Sequence, residues 1–193
     1  MPRLAREITE AVLIALVVLV VLQTTVRNFK VEGSSMVPTL DGGQYLVVDQ
    51  ASFFKFDKER LSRAVPFWKA PEAEPQFAFD PPTRGEVIVF NYPLDPSKDF
   101  VKRVVGLPGE TVEVQGGIVL VDGRALPEPY LQRKDSSDAP PLTLGEKEYY
   151  VIGDNRRNSN DSRSWGAVPE DNIVGRVWLV YWPWNDIHFV DSP

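Results

Sequence analysis

Hydrophobic residues are unevenly distributed along the chain, which opens with one unbroken apolar run, Ala11–Leu22 (AVLIALVVLVVL). Extended from Ile8 to Val26 the segment has nineteen residues, and as a helix it spans roughly 28 Å, close to the ~30 Å hydrocarbon layer of a bilayer. Such a run suits a membrane anchor, a cleaved secretory signal or a buried core helix. Glu7 and Glu10 dilute the basic flank that a signal needs, and no A-x-A site follows Leu22. The run is apolar on every face, and no other segment looks helical enough to pack around it. The pattern therefore predicts a short leader over 1–7 and a transmembrane helix over 8–26.

Beyond the anchor the pattern changes to short runs rich in β-branched and aromatic residues. They are Tyr45–Asp49, Glu86–Phe90, Phe100–Val105, Thr111–Val114, Ile118–Val121, Tyr149–Ile152 and Gly175–Trp182. Breakers sit where hairpins need them, at Asp41-Gly42-Gly43, Leu107-Pro108-Gly109, Gly116-Gly117 and Asp122-Gly123. This predicts one mainly β domain over 27–193 behind a single N-terminal helix. Two long stretches, 52–83 and 124–147, read as loop insertions. The first is rich in proline, charge and aromatics, the second polar.

Composition narrows the chemistry. There is no cysteine, which removes disulfides, thiol nucleophiles and Cys-ligated metals, and the single His188 removes a multi-histidine site. The net charge of −6 speaks against wrapping a nucleic-acid backbone. Residues 1–30 carry four bases and two acids, against 17 bases and 25 acids in the rest. An acidic body thus follows a slightly basic leader, as expected of a chain that meets two environments. Arg3 and Arg6 balance Arg27 and Lys30, so the positive-inside rule nearly ties.

Three clusters could do chemistry. Gly33-Ser34-Ser35-Met36-Val37-Pro38 follows the anchor directly, and a serine between glycine and proline is ordinarily a turn former. In Phe100–Val105, alternation places Lys102 on one strand face with Phe100 and Val104, and Arg103 on the other with Val101 and Val105. Lys102 is either an edge lysine that prevents aggregation or a desolvated amine able to act as a base; Arg103 cannot take that role. Gly153–Gly166 is dense in Asp, Asn and Arg, and its arginines oppose a cation site. Within it Asp161 can pair with Arg156 or Arg163 to make a rigid polar loop.

In their order these segments resemble bacterial type I signal peptidases, membrane-anchored Ser/Lys endopeptidases. The matching boxes are VEGSSMVPTL, RGEVIVF, DFVKRVVGLPGE, YYVIGDNRRNSNDSRSWG and VPEDNIVGRV, spread over nearly the whole chain. The resemblance implies an antiparallel β-sheet or barrel-like catalytic domain behind the anchor. It implies Ser35 as nucleophile, Lys102 as general base and Ser159 as the hydroxyl that orients the amine. Asp161 and Arg163 would support the loop by an ion pair, with Gly153, Asp154, Asn155 and Arg156 at its start. The backbone N–H of Ser35 would line the oxyanion hole; Gly33 stands where some members carry a second donor hydroxyl.

Substrate and place follow from the same resemblance. Signal-peptide-bearing preproteins would be cut after small residues at −1 and −3, in shallow pockets walled by Val31, Met36, Leu40, Phe100 and Val101. No cofactor and no metal is expected. The partners are preproteins and the lipid bilayer, with no nucleic acid. The protein would sit in the plasma membrane as a single-pass chain, its catalytic domain extracytoplasmic. Two rivals stand beside this reading. A self-cleaving repressor-type protease shares Ser/Lys chemistry but needs a DNA-binding leader, and none is present. A catalytically silent, membrane-tethered β module would bind partners through Gly153–Gly166, without using both Ser35 and Lys102.

Overall fold

A computed structural model describes residues 2–50, 55–56, 76–77, 81–133 and 135–190. It begins with helix α1 (Pro2–Thr25), which passes at once into strand β1 (Val26–Lys30). Thr24, Thr25 and Val26 are β-branched and favour extended backbone, which ends the helix there. The side chains of α1 are described from Arg6 to Val18, and those of Val12, Leu13, Ile14, Leu16 and Val17 are more than half exposed. Among the described residues, no helix is long and apolar enough to cross a membrane.

The remaining strands are β2 (Tyr45–Asp49), β3 (Lys55–Phe56), β4 (Gln76–Phe77), β5 (Val87–Tyr92), β6 (Asp95–Gly106), β7 (Thr111–Gln115) and β8 (Ile118–Val121). After them come β9 (Arg124–Ala125), β10 (Ala139–Thr143), β11 (Glu148–Ile152), β12 (Val168–Pro169), β13 (Ile173–Trp182) and β14 (His188–Phe189). A one-turn helix α2 (Ser162–Trp165) stands between β11 and β12. The main sheet runs β1-β2-β13-β5-β6-β11-β12, with β14 added to β13, and a smaller sheet runs β10-β7-β8-β9. The strand pairs are antiparallel. The expected mainly β, antiparallel architecture is therefore present. Its main sheet is an open path ending at β1 and β12 among the described residues, not a closed barrel.

Each strand run expected from the sequence falls on a strand, with ends moved by a few residues. The β7–β8 turn has Gly116 and Gly117 at φ of 52° and 78°, the paired left-handed backbone of a two-residue hairpin, which glycine adopts without strain. Of the expected insertions, 52–83 lies mostly outside the described residues; its described part includes the pair β3–β4. The stretch 124–147 is more than a connection. It contributes β9 and β10 to the small sheet, and the register of β10 slips between Ala139 and Leu142, where Pro140 and Pro141 cannot donate to a ladder.

Packing explains the run VIVF in β5, which is buried on both faces. Val87 and Val89 join Val31, Met36, Leu40, Leu46, Val48, Val177 and Val180 on one side. Ile88 and Phe90 join Val104, Tyr149, Val151 and Val168 on the other. A third cluster joins the small sheet to β6 and β11 through Val105, Val112, Val114, Val119, Tyr150 and Ile152. These layers fix β6 rigidly, and β6 carries Lys102.

Candidate active site

The segment between β1 and β2 is pinned into the core by three apolar side chains. Val31, Met36 and Leu40 are buried, at 5%, 1% and 0% exposure, and backbone bonds tie Val31 to Gln44 and Gly43. Between these pegs the turn lifts Ser35 to the floor of an open cleft of about 610 Å³. Its walls include Phe29, Val31, Val89, Phe100 and Val101, with Ser35 and Lys102 at its foot.

Lys102 approaches from β6, whose pairing sets it opposite Ile88 in β5. Its Nζ lies 2.8 Å from Ser35 Oγ and 2.8 Å from the backbone carbonyl of Val101, to which it donates. The Phe100 ring stands 5.3 Å away. Only 4% of Lys102 is exposed. Loss of hydration lowers its pKa from an ordinary 10.5 to about 8, while the carboxylates of Asp161 and Asp154 pull it back upward. Serine and amine are thus in hydrogen-bond contact, and the amine yields its proton at about pH 8, well below the ordinary lysine range.

The polar loop after β11 holds the nucleophile from behind. Asn155 N–H donates to the Ser35 carbonyl at 2.9 Å, and Asn155 Nδ2 to that of Ser34 at 3.0 Å. Asn158 Nδ2 reaches Ser34 Oγ at 2.6 Å. Gly153 lets the two segments approach: a Cβ there would lie 2.6 Å from the Ser35 carbonyl oxygen and 2.2 Å from Ser159 Oγ. The roles of Asn155 and Asn158 towards Ser34 and Ser35 have no local signal in the sequence, because the partners are some 120 residues apart.

Of the residues singled out from the sequence, Ser35, Lys102, Val31, Phe100 and Val101 meet at the cleft. Met36 and Leu40 do not; they belong to the core below it and are not among its walls. Asp161 and Arg163 form the expected pair, Nε to Oδ1 and Nη2 to Oδ2 both at 2.8 Å, and Asp161 also accepts the Gly153 N–H. Arg156 is paired with Glu128 rather than with Asp161. Asp154 takes the Arg103 guanidinium, a partnership that strand alternation alone could not name. Ser159 Oγ is buried and makes no hydrogen bond, so the expected bond to the Lys102 amine is not formed in this structure. His188 bonds the Asp186 carbonyl and takes no part in the cleft.

Comparison with known proteins finds relatives over most of the chain. The family model described as signal peptidase, peptidase S26, matches residues 4–182. A signal peptidase I from Leptolyngbya laminosa is 36% identical over 187 residues, covering 90% of this chain and 80% of that protein. One from Bacillus amyloliquefaciens is 32% identical over 190 residues, covering 90% and 85%. A crystal structure of a signal peptidase I from Enterococcus faecalis V583 aligns at 32% identity over 50% of this chain and 97% of that one, with a TM-score of 0.45.

Proposed function

The chain belongs to the signal peptidase family, peptidase S26, and on that premise we propose that Ser35 and Lys102 are the nucleophile and general base of its reaction. The protein is a serine endopeptidase that removes signal peptides from preproteins. A serine hydroxyl is too weak an acid to attack an amide unaided and needs a base within hydrogen-bond reach. The observation that carries the assignment is the 2.8 Å contact between Lys102 Nζ and Ser35 Oγ at the foot of the cleft.

In the neutral state the amine accepts the Ser35 proton as Oγ attacks the scissile carbonyl. The developing oxyanion is stabilised by the Ser35 backbone N–H. The new ammonium then gives its proton to the leaving amine, and the C–N bond breaks to leave an acyl-enzyme on Ser35. Water, deprotonated by the regenerated amine, releases the signal peptide as a carboxylic acid. Ser159, packed against Gly153 beside the Ser35 carbonyl, makes no bond to the amine in the resting geometry. In this reading it orients the amine during reaction, by accepting the N–H that Lys102 otherwise gives to the Val101 carbonyl. The cleft walls Val31, Val89 and Val101 fit small side chains at −1 and −3.

In this reading the anchor is the apolar run Ile8–Val26, taken from the sequence. As a helix its nineteen residues would reach about 28 Å, and the nucleophile lies nine residues beyond Val26. On this reading the cleft works close to the bilayer surface, with the catalytic domain on the extracytoplasmic side of the plasma membrane. A silent β module would not place a buried lysine against a serine in an open cleft. Ser35→Ala and Lys102→Ala should each abolish cleavage of a preprotein while the domain stays folded; turnover by either variant would refute the assignment.

A further inference from the structure

Behind the catalytic loop lies a second, polar cavity of about 510 Å³, walled by the strap 135–138 and by Arg156, Ser159 and Arg163 among others. The strap is fixed to the β7–β8 turn: Gly117 N–H donates to the Ser137 carbonyl at 2.8 Å, and Gly116 N–H to Asp138 Oδ1 at 2.7 Å. Its other side grips the loop, since Asp135 Oδ2 and Ser137 Oγ accept from Arg163 Nη1 at 3.1 Å and 2.9 Å.

Four buried side-chain polar atoms among the described residues have no hydrogen-bond partner. Three of them, Asp135 Oδ1, Arg156 Nε and Ser159 Oγ, belong to residues that line this one cavity. Buried polar atoms in folded proteins are nearly always paired with protein or ordered water. The three are chemically mixed: an acceptor, a donor, and a hydroxyl able to be either. An anion would suit Arg156 and be repelled by Asp135, and a cation would meet the reverse. Water satisfies all three, and the space is ample for it.

We propose that Asp135 is a positioning residue for the Lys102 amine, acting through water held in this cavity. The water donates to Asp135 Oδ1 and accepts from Arg156 Nε–H and from the Ser159 O–H. With its proton turned into the cavity, Ser159 presents its lone pairs to the catalytic side. There they accept from the Lys102 amine once it turns from the Val101 carbonyl to which it is bonded in the resting geometry. A carboxylate is needed at the far end because it can only accept, which sets the polarity of the whole chain. The inference rests on the reading of Ser159 as the orienting hydroxyl.

The same chain has a pH signature. Asp135 is faced by Arg163 and Arg156 across the cavity, with Arg157 on the loop and Asp138 on its own strap. Lys102 feels Asp161 and Asp154. A hydrogen-bond chain that ends on a carboxylate favours the ammonium form of Lys102, so breaking it lowers the pKa of the amine and moves the acid limb of the rate profile to lower pH.

Asp135→Asn keeps the shape and can donate where the carboxylate accepted, so it reverses the chain. With the full-length protein in detergent and a signal-peptide substrate, kcat should fall about tenfold, the loss of one charge-assisted hydrogen bond. KM should hold, the acid limb should move to lower pH, and Asp135→Glu should recover most of the rate. The double variant with Ser159→Ala should be no slower than Ser159→Ala alone. A limb that stays in place, or losses that multiply, would overturn the water relay. A Ser159→Ala enzyme of normal kcat would instead remove the reading of Ser159 on which the relay rests, and the relay with it.

Discussion

Arg103 and Asp154 face each other as a two-pronged pair, Nε to Oδ1 at 2.9 Å and Nη2 to Oδ2 at 2.7 Å, with both side chains almost wholly buried. Thr39 closes the group, donating to Asp154 Oδ2 at 2.5 Å and accepting from Arg103 Nη2 at 3.1 Å. One residue earlier on the same strand, Lys102 spends its hydrogen bonds on Ser35 and a carbonyl. Strand β6 therefore gives one cation a counter-ion and leaves the next to be governed by burial. The first is a structural lock between strand and loop, and the second is free to release a proton.

That lock should be costly to break from one side. Asp154→Ala leaves a buried guanidinium without its carboxylate and should destabilise the domain by about 3–5 kcal/mol. Thermal unfolding would show this as a large drop in Tm. Adding Arg103→Met should restore part of the loss, since two apolar side chains leave no uncompensated charge. A single variant as stable as the wild type would show that the pair carries no structural load.

The sequence makes strands visible where β-branched residues crowd between glycine turns, as in β5, β7, β8 and β13. It hides them where pairing is long-range or brief. Strand β1 (VRNFK) has no alternation of its own and owes its place to β2, which pairs with it from Tyr45 to Asp49. Strand β10 (APPLT) carries two prolines and exists at the edge of the small sheet. In the site, Ser35 and Lys102 are legible through the resemblance of their segments to signal peptidases. By residue pattern alone Ser35 reads as a turn former and Lys102 as either an edge lysine or a base. The partners of Asp154 and Asn155 are not legible, because a pair 51 or 120 residues apart leaves no local pattern. Met36 and Leu40 illustrate a different limit: an apolar residue beside a nucleophile reads equally well as pocket wall or as core.

Their burial makes the distinction measurable. Leu40→Ala and Met36→Ala should each cost about 2–5 kcal/mol, the usual range for emptying a packed core site. Neither should widen the choice of residues accepted at −1 or −3, which would be read from cleavage of a peptide series. Enlarged side chains accepted at −1 by Met36→Ala would place it back in the cleft.

Gly153 should tolerate nothing larger. A methyl group there meets the Ser35 carbonyl oxygen at 2.6 Å and Ser159 Oγ at 2.2 Å. Ser159 can rotate away, but the Ser35 carbonyl is held by the Asn155 N–H and can yield only by shifting the nucleophile. Gly153→Ala should therefore reduce kcat by at least about a hundredfold, the scale expected when a reacting atom is misplaced by an ångström. Single-turnover kinetics on a folded sample would test it; a near-normal chemical step would mean that loop and nucleophile are not rigidly coupled.

Lys102 should impose its own pH dependence on both rate and stability. Only the neutral amine accepts the serine proton, so kcat/KM should rise about tenfold per pH unit below the folded pKa of about 8 and level off above it. The stability effect runs in the same direction. Burial lowers the pKa below its unfolded value, so between about 8 and 10.5 the unfolded chain binds a proton that the native state does not. Native stability must then increase with pH across that window, and below it the folded protein carries the full penalty of a buried ammonium. The gap corresponds to roughly 3 kcal/mol. Lys102→Met, which fills the space without a charge, should accordingly be inactive yet more stable than the wild type at pH 7, with the advantage shrinking towards pH 10.5. Denaturant titrations at pH 7 and pH 10 on both proteins decide the matter: a constant difference in stability would mean that the amine is solvated in the folded state and has no lowered pKa with which to act as a base.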